Sequence, residues 1–154
     1  MGGMGSSSLL GVVKNASVGG LKHRDVFIYS NALVLTSIDR SWLWVTALSR
    51  QFGLLGALLF TPWLNRIDQR RIAGAPETPE ALATARQGTL IPVPTIVNAE
   101  LTKGLLSSTI RLSTLKGESH KFTWTRGDNN YDQVRGWLHE ALGARLLDSG
   151  AAAA

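Results

Sequence analysis

Three basic residues near the start of the chain, Lys14, Lys22 and Arg24, are the side chains best suited by type and spacing to a definite chemistry. In an extended strand Lys22 and Arg24 are two positions apart and project from the same face, so an ammonium and a guanidinium can converge on one phosphate cluster. A basic turn at a strand end is equally an ordinary solvated edge that discourages pairing with other chains, and both readings stand at this point. The histidines, His23, His120 and His139, are separated in the chain, and none has a carboxylate or second histidine at ligand spacing. They read as surface or turn residues, and no metal or cofactor is expected. The absence of cysteine removes thiolate zinc sites, cysteine nucleophiles and disulfides together. No Gly-x-Gly-x-x-Gly, P-loop, Gly-x-Ser-x-Gly or His-Glu-x-x-His pattern occurs, so the chain is not expected to be an enzyme. Arg126-Gly127-Asp128 reads as a strand-to-helix turn whose Asp128 caps the helix, rather than as an adhesion tripeptide.

The 154 residues suit one core. A hydrophobic fraction of 44% with 18% charged residues predicts that the chain folds. A net charge of +5 favours anionic partners, but the basic residues are scattered rather than blocked, so no nucleic-acid arm is indicated. The N-terminal Gly/Ser stretch lacks the basic region that precedes the apolar core of a signal peptide, and a cytoplasmic location is expected. Gly2 and Ser6 match a myristoylation pattern and Asn15-Ala16-Ser17 a glycosylation sequon; both are short enough to arise by chance.

These side chains need elements to hold them. Leu9 to Val18, interrupted by Lys14 and Asn15 and followed by Gly19-Gly20, predicts a first strand. Asp25 to Tyr29 and Ala32 to Thr36, rich in β-branched and aromatic residues around Ser30-Asn31, predict a hairpin. Ile96 to Leu101, Ser108 to Thr114 and His120 to Thr125 predict three consecutive antiparallel strands. Alternation in the last of them turns Phe122 and Trp124 toward a core. Asp128, Asn129 and Asn130 are all good N-caps before a helix whose apolar stripe is Tyr131, Val134, Leu138, Leu142 and Leu146, joined by Trp137 and Ala141. Because that strand and helix are sequential, Trp124 and Trp137 are expected to meet in the core.

Between Ser41 and Arg71 the pattern changes, with large apolar residues at helical intervals ahead of Arg66, Arg70 and Arg71; one or two helices are predicted. The Phe52 to Leu64 run of about a dozen residues is short of the roughly twenty needed to span a bilayer. It suits a helix packed on an open sheet face. It also suits an interfacial or re-entrant segment in which Trp42, Trp44, Phe52, Leu59 and Trp63 contact membrane. Gly74 to Arg86 reads as a linker with a short helix starting at Pro79 and capped by Thr78.

An initial strand, a hairpin, three further strands and one closing helix with a buried Trp resembles the pleckstrin-homology-like superfamily, including bacterial PH-like and GRAM-like domains. The segments that carry the likeness are Asp25 to Leu35, Ile91 to Leu106, Phe122-Thr123-Trp124 and the helix from Leu138 to Leu146, with residues 41–88 departing as an insertion. The resemblance implies an α+β, mostly β fold: a partly open barrel of two antiparallel sheets closed by a C-terminal amphipathic helix, with a helical hydrophobic insertion. It would occupy residues 9–147, between a flexible leader 1–8 and a flexible tail 148–154. The spacing of Lys14, Lys22 and Arg24 resembles the Lys-x(n)-Lys/Arg-x-Arg signature with which many PH domains hold a phosphoinositide between the first two strands. The function implied is a non-catalytic binding or adaptor module that takes an anionic lipid head group or a protein partner at the inner membrane face. The alternative is a peripheral or re-entrant membrane-anchored structural protein that uses residues 41–71.

Overall fold

The first strand sets the architecture, because one bulge within it lets it serve two halves of a sheet. The structure, a computed structural model, describes residues 7–19, 22–37, 53, 55, 78–125, 127 and 129–149. By internal contacts the chain divides into two units, Met1–Ser37 with Glu77–Ala154, and Ile38–Pro76. In β1 (Leu9–Val18) Val13 pairs with Val26 of β2 (Lys22–Tyr29), while the next pair is Ala16 with Arg24, so Lys14 and Asn15 together oppose Asp25. Asn15 takes the left-handed conformation that asparagine tolerates, at φ 54°, and its N–H donates to the buried Asp25 carboxylate at 3.0 Å. Beyond the bulge Ser17 and Val18 pair with Thr123 and Phe122 of β7 (Ser119–Thr125).

That junction replaces the expected two sheets with one continuous eight-stranded sheet, in the order β4-β3-β2-β1-β7-β6-β5-β8. Its members are β3 (Ala32–Ser37), β4 (Thr89–Pro92), β5 (Ile96–Lys103), β6 (Ser107–Thr114) and β8 (Leu146–Asp148). A bulged strand bends and twists more strongly than its neighbours, which suits β1 to the corner between the two meanders. β4 is an edge strand that ends on Pro92, where the missing N–H costs no ladder bond.

The inner face carries the main core: Val13, Val26, Ile28, Leu33, Ile110, Leu112, Phe122 and Trp124. Helix α2 (Tyr131–Leu142) lays Tyr131, Val134, Leu138, Ala141 and Leu142 against it. Three expectations need correction here. The N-cap is Asn130, whose Oδ1 accepts from the N–H groups of Asp132 and Gln133, rather than Asp128, which lies outside the described residues. Leu146 is not helical: α2 stops at Leu142, Gly143 adopts φ 55°, and a 3₁₀ turn delivers Leu146 into β8, parallel to β5. Trp124 is buried as expected, but Trp137 is only half-buried and packs on the core's margin over Gly11. A Cβ at Gly11 would run into the Trp137 indole carbons. Gly11→Ala is therefore expected to destabilise by about 1 to 3 kcal/mol, the usual range for overpacking, in urea unfolding. An unchanged midpoint would mean that the indole moves away freely.

The opposite face of β2 and β3 is also buried, at Phe27, Tyr29 and Val34. Helix α1 (Pro79–Ala85) packs on β3 and β4 and buries Leu82. Its N-cap is Thr78, as the sequence predicts, with Oγ1 accepting from the Ala81 N–H at 3.3 Å. Just beyond it the Arg86 guanidinium lies 5.3 Å from the centre of the Phe27 ring.

Candidate anion-binding site

Alternation along β2 puts Lys22 and Arg24 on the inner face, in the row that continues through Val26 and Ile28. Their partners on β1 are Val18 and Ala16. Val18 also pairs with Phe122, so one register row runs from Lys22 through Val18 to Phe122 across three strands. At the usual strand spacing Lys22 and Phe122 are on the order of 10 Å apart at Cα. The next inward position on β7, one step nearer the sheet end, is His120. Lys22 is exposed and Arg24 half-buried, so the row passes from solvent into the core at this end.

A groove of about 180 Å³ lies where β4 and Thr95 meet the β6–β7 turn. Thr89 and Ile91 of β4 lie on one side of it, and Thr114, Lys116, Glu118 and His120 on the other. The His120 Nε2 is 3.7 Å from the Glu118 carboxylate, and its ring stacks on Phe122 with centroids 6.4 Å apart. The Thr95 and Thr114 hydroxyls donate to the Pro92 and Glu118 carbonyls, which leaves the Lys116 ammonium and the His120 imidazole as the groove's donors to a small anion, beside the Glu118 carboxylate. Among the described residues no cluster of His, Asp or Glu is arranged to hold a metal ion.

The basic residues singled out by spacing separate here. Lys22 and Arg24 share a row, but the bulge takes Lys14 out of the alternation and sets it opposite Asp25. The Lys14 backbone is tied to the loop before α2: its N–H donates to Asn129 Oδ1 at 2.9 Å and its carbonyl accepts from Asn129 Nδ2 at 2.8 Å. His120 and Lys116 went unrecognised as residues of this sheet end, although His120 occupies the inward phase of the same alternation that marks Phe122 and Trp124. Trp42, Trp44, Phe52, Leu59 and Trp63 lie outside the described residues. Among the described residues no helix is long and apolar enough to cross a membrane.

No protein-family model matches the chain, and no curated protein matches its sequence.

Proposed function

We propose that the chain is a non-catalytic binding module of the pleckstrin-homology-like kind, which holds a multiply charged phosphate group at the sheet end formed by Lys22, Arg24, Lys116 and His120. The observation that carries this is the shared inward row of Lys22 and Arg24, which sets two cations on one face of the sheet, at the end where the row continues across Val18 to Phe122 and His120 follows on β7. Support for the PH-like architecture comes from strand order: two meanders, β1 to β4 and β5 to β7, meet where β1 pairs β7, and one amphipathic helix covers the inner face. A net charge of +5 adds a favourable long-range field for anions.

Calorimetric titration with inositol hexakisphosphate tests the proposal. Each basic residue contributes on the order of 1 kcal/mol to holding such a surface charge, so Lys22→Ala with Arg24→Ala should weaken binding roughly thirtyfold. Added salt should weaken the wild-type protein in the same direction. An affinity that ignores both changes would remove the site.

A further inference from the structure

The groove between β4 and the β6–β7 turn carries both signs of charge. Lys116 and Glu118 come from the turn, and His120 follows on β7, where its Nε2 lies 3.7 Å from the Glu118 carboxylate. Three hydrogen bonds hold the turn: the Leu115 N–H donates to the Thr95 carbonyl at 2.8 Å, the Gly117 N–H to the Thr114 carbonyl at 3.0 Å, and the Thr114 N–H to the Glu118 carbonyl at 3.0 Å. The imidazole is held as well, by stacking on Phe122, and its side chain is only 22% exposed. β4 and β6 bring uncharged side chains alone to the groove. On the inner face α2 turns Val134 and Leu138 toward Phe122, and neither ionises. β2 adds Lys22 and Arg24 to that face, while His23 between them takes the outer phase opposite Ser17.

With the imidazole neutral, the Lys116 ammonium and the Glu118 carboxylate balance, and the carboxylate opposes an approaching anion. A proton on His120 sets a cation beside that carboxylate and leaves the groove with a net positive charge. Imidazole is the side chain whose charge ordinarily changes between about pH 5 and pH 8. We propose that His120 gates the phosphate site by pH: its protonation offsets Glu118 and turns the groove from balanced to cationic, so that the anion is held more tightly in mildly acidic solution. The proposal rests on the phosphate-binding function above and adds its regulation. The other histidines are placed elsewhere, His23 on the outer side of the sheet and His139 in the last turn of α2.

The test compares wild type with His120→Gln by calorimetric titration of inositol hexakisphosphate. The ligand's own ionisation acts alike on both proteins, so the ratio of their affinities isolates the imidazole. Wild type should bind about fivefold more tightly than His120→Gln at about pH 5.5, the gain expected of one added charge, and about equally at about pH 8. Glu118→Gln removes the opposing charge and should bind more tightly than wild type at about pH 8. It changes a largely exposed side chain and spares the backbone hydrogen bond of the turn, so it decides the question even where His120→Gln unsettles the fold. A ratio of wild type to His120→Gln that stays the same at both pH values would overturn the gate and leave the phosphate site intact. Binding by Glu118→Gln no tighter than wild type would do the same. Failure of wild type to bind at either pH would instead remove the phosphate site itself, and the gate with it.

Discussion

Trp124→Ala is expected to lower the unfolding free energy by about 3 to 5 kcal/mol, the range for deleting a large aromatic side chain from a packed interior. Trp124 is 2% exposed and sits among Val13, Val26, Ile110, Phe122, Val134 and Leu138, contributed by β1, β2, β6, β7 and α2. No single neighbour can close the space, because its walls belong to strands held by their ladders and to a helix fixed by caps at Asn130 and Gly143. Trp124→Phe should cost much less. It keeps most of the volume, and Nε1 has no hydrogen-bond partner among the described residues to forfeit. Chemical denaturation of the two variants checks the pair; equal losses would mean that the indole N–H matters more than the volume it accompanies.

The second large effect is expected at Asp148, which joins the last strand to the helix. Its Oδ1 accepts from the Tyr131 hydroxyl at 2.8 Å, and Arg135 pairs with its other oxygen. The carboxylate is nearly buried while Arg135 is 41% exposed, so the Arg135 contribution is screened and the Tyr131 bond dominates. Asp148→Ala should destabilise by about 2 to 3 kcal/mol, because it removes a charge-assisted bond and leaves a buried phenol without its acceptor. It should also loosen β8, which the Ser149 hydroxyl otherwise ties to the Leu101 carbonyl at 3.0 Å.

The same contact has a pH signature. Burial first, then the hydrogen bond and charge of Asp148, push the Tyr131 phenol up to about 12 from its ordinary 10.0. Between those values the unfolded chain releases the proton and the folded one keeps it, so Tyr131 contributes stability that is complete below pH 10 and is lost as pH rises toward 12. Tyr131→Phe should flatten that part of the alkaline stability curve. In Asp148→Ala the phenol should ionise at lower pH, followed by its ultraviolet absorbance; an unmoved midpoint would dismiss the contact.

Much of the fold was legible in the sequence because short-range pattern carries it. The first strand was read as Leu9 to Val18, its observed span, and the Ser30-Asn31 hairpin and the alternation of Phe122 and Trp124 follow the same period-two rule in the structure. Leu146 shows the limit of such patterns. It lies four residues after Leu142 and is buried, as a continued helix would require, yet it achieves that burial in a strand. Periodicity reports that a residue turns inward; it does not report the element that turns it.

The candidate site divides along the same line. That Lys22 and Arg24 share a face follows from their spacing alone, since two residues apart in any strand means the same side. The displacement of Lys14 from their row depended on a bulge, and the bulge on a bond between Asn15 and Asp25, ten positions away in the chain. The approach of His120 and Lys116 to the same sheet end depended on β1 pairing β7 across more than a hundred residues, through Val18 and Phe122. Side-chain direction is a local property of strand geometry, set by residues that neighbour one another in sequence. Which charges face one another is set by strand order and register, and these come from the mutual fit of surfaces that no single segment contains.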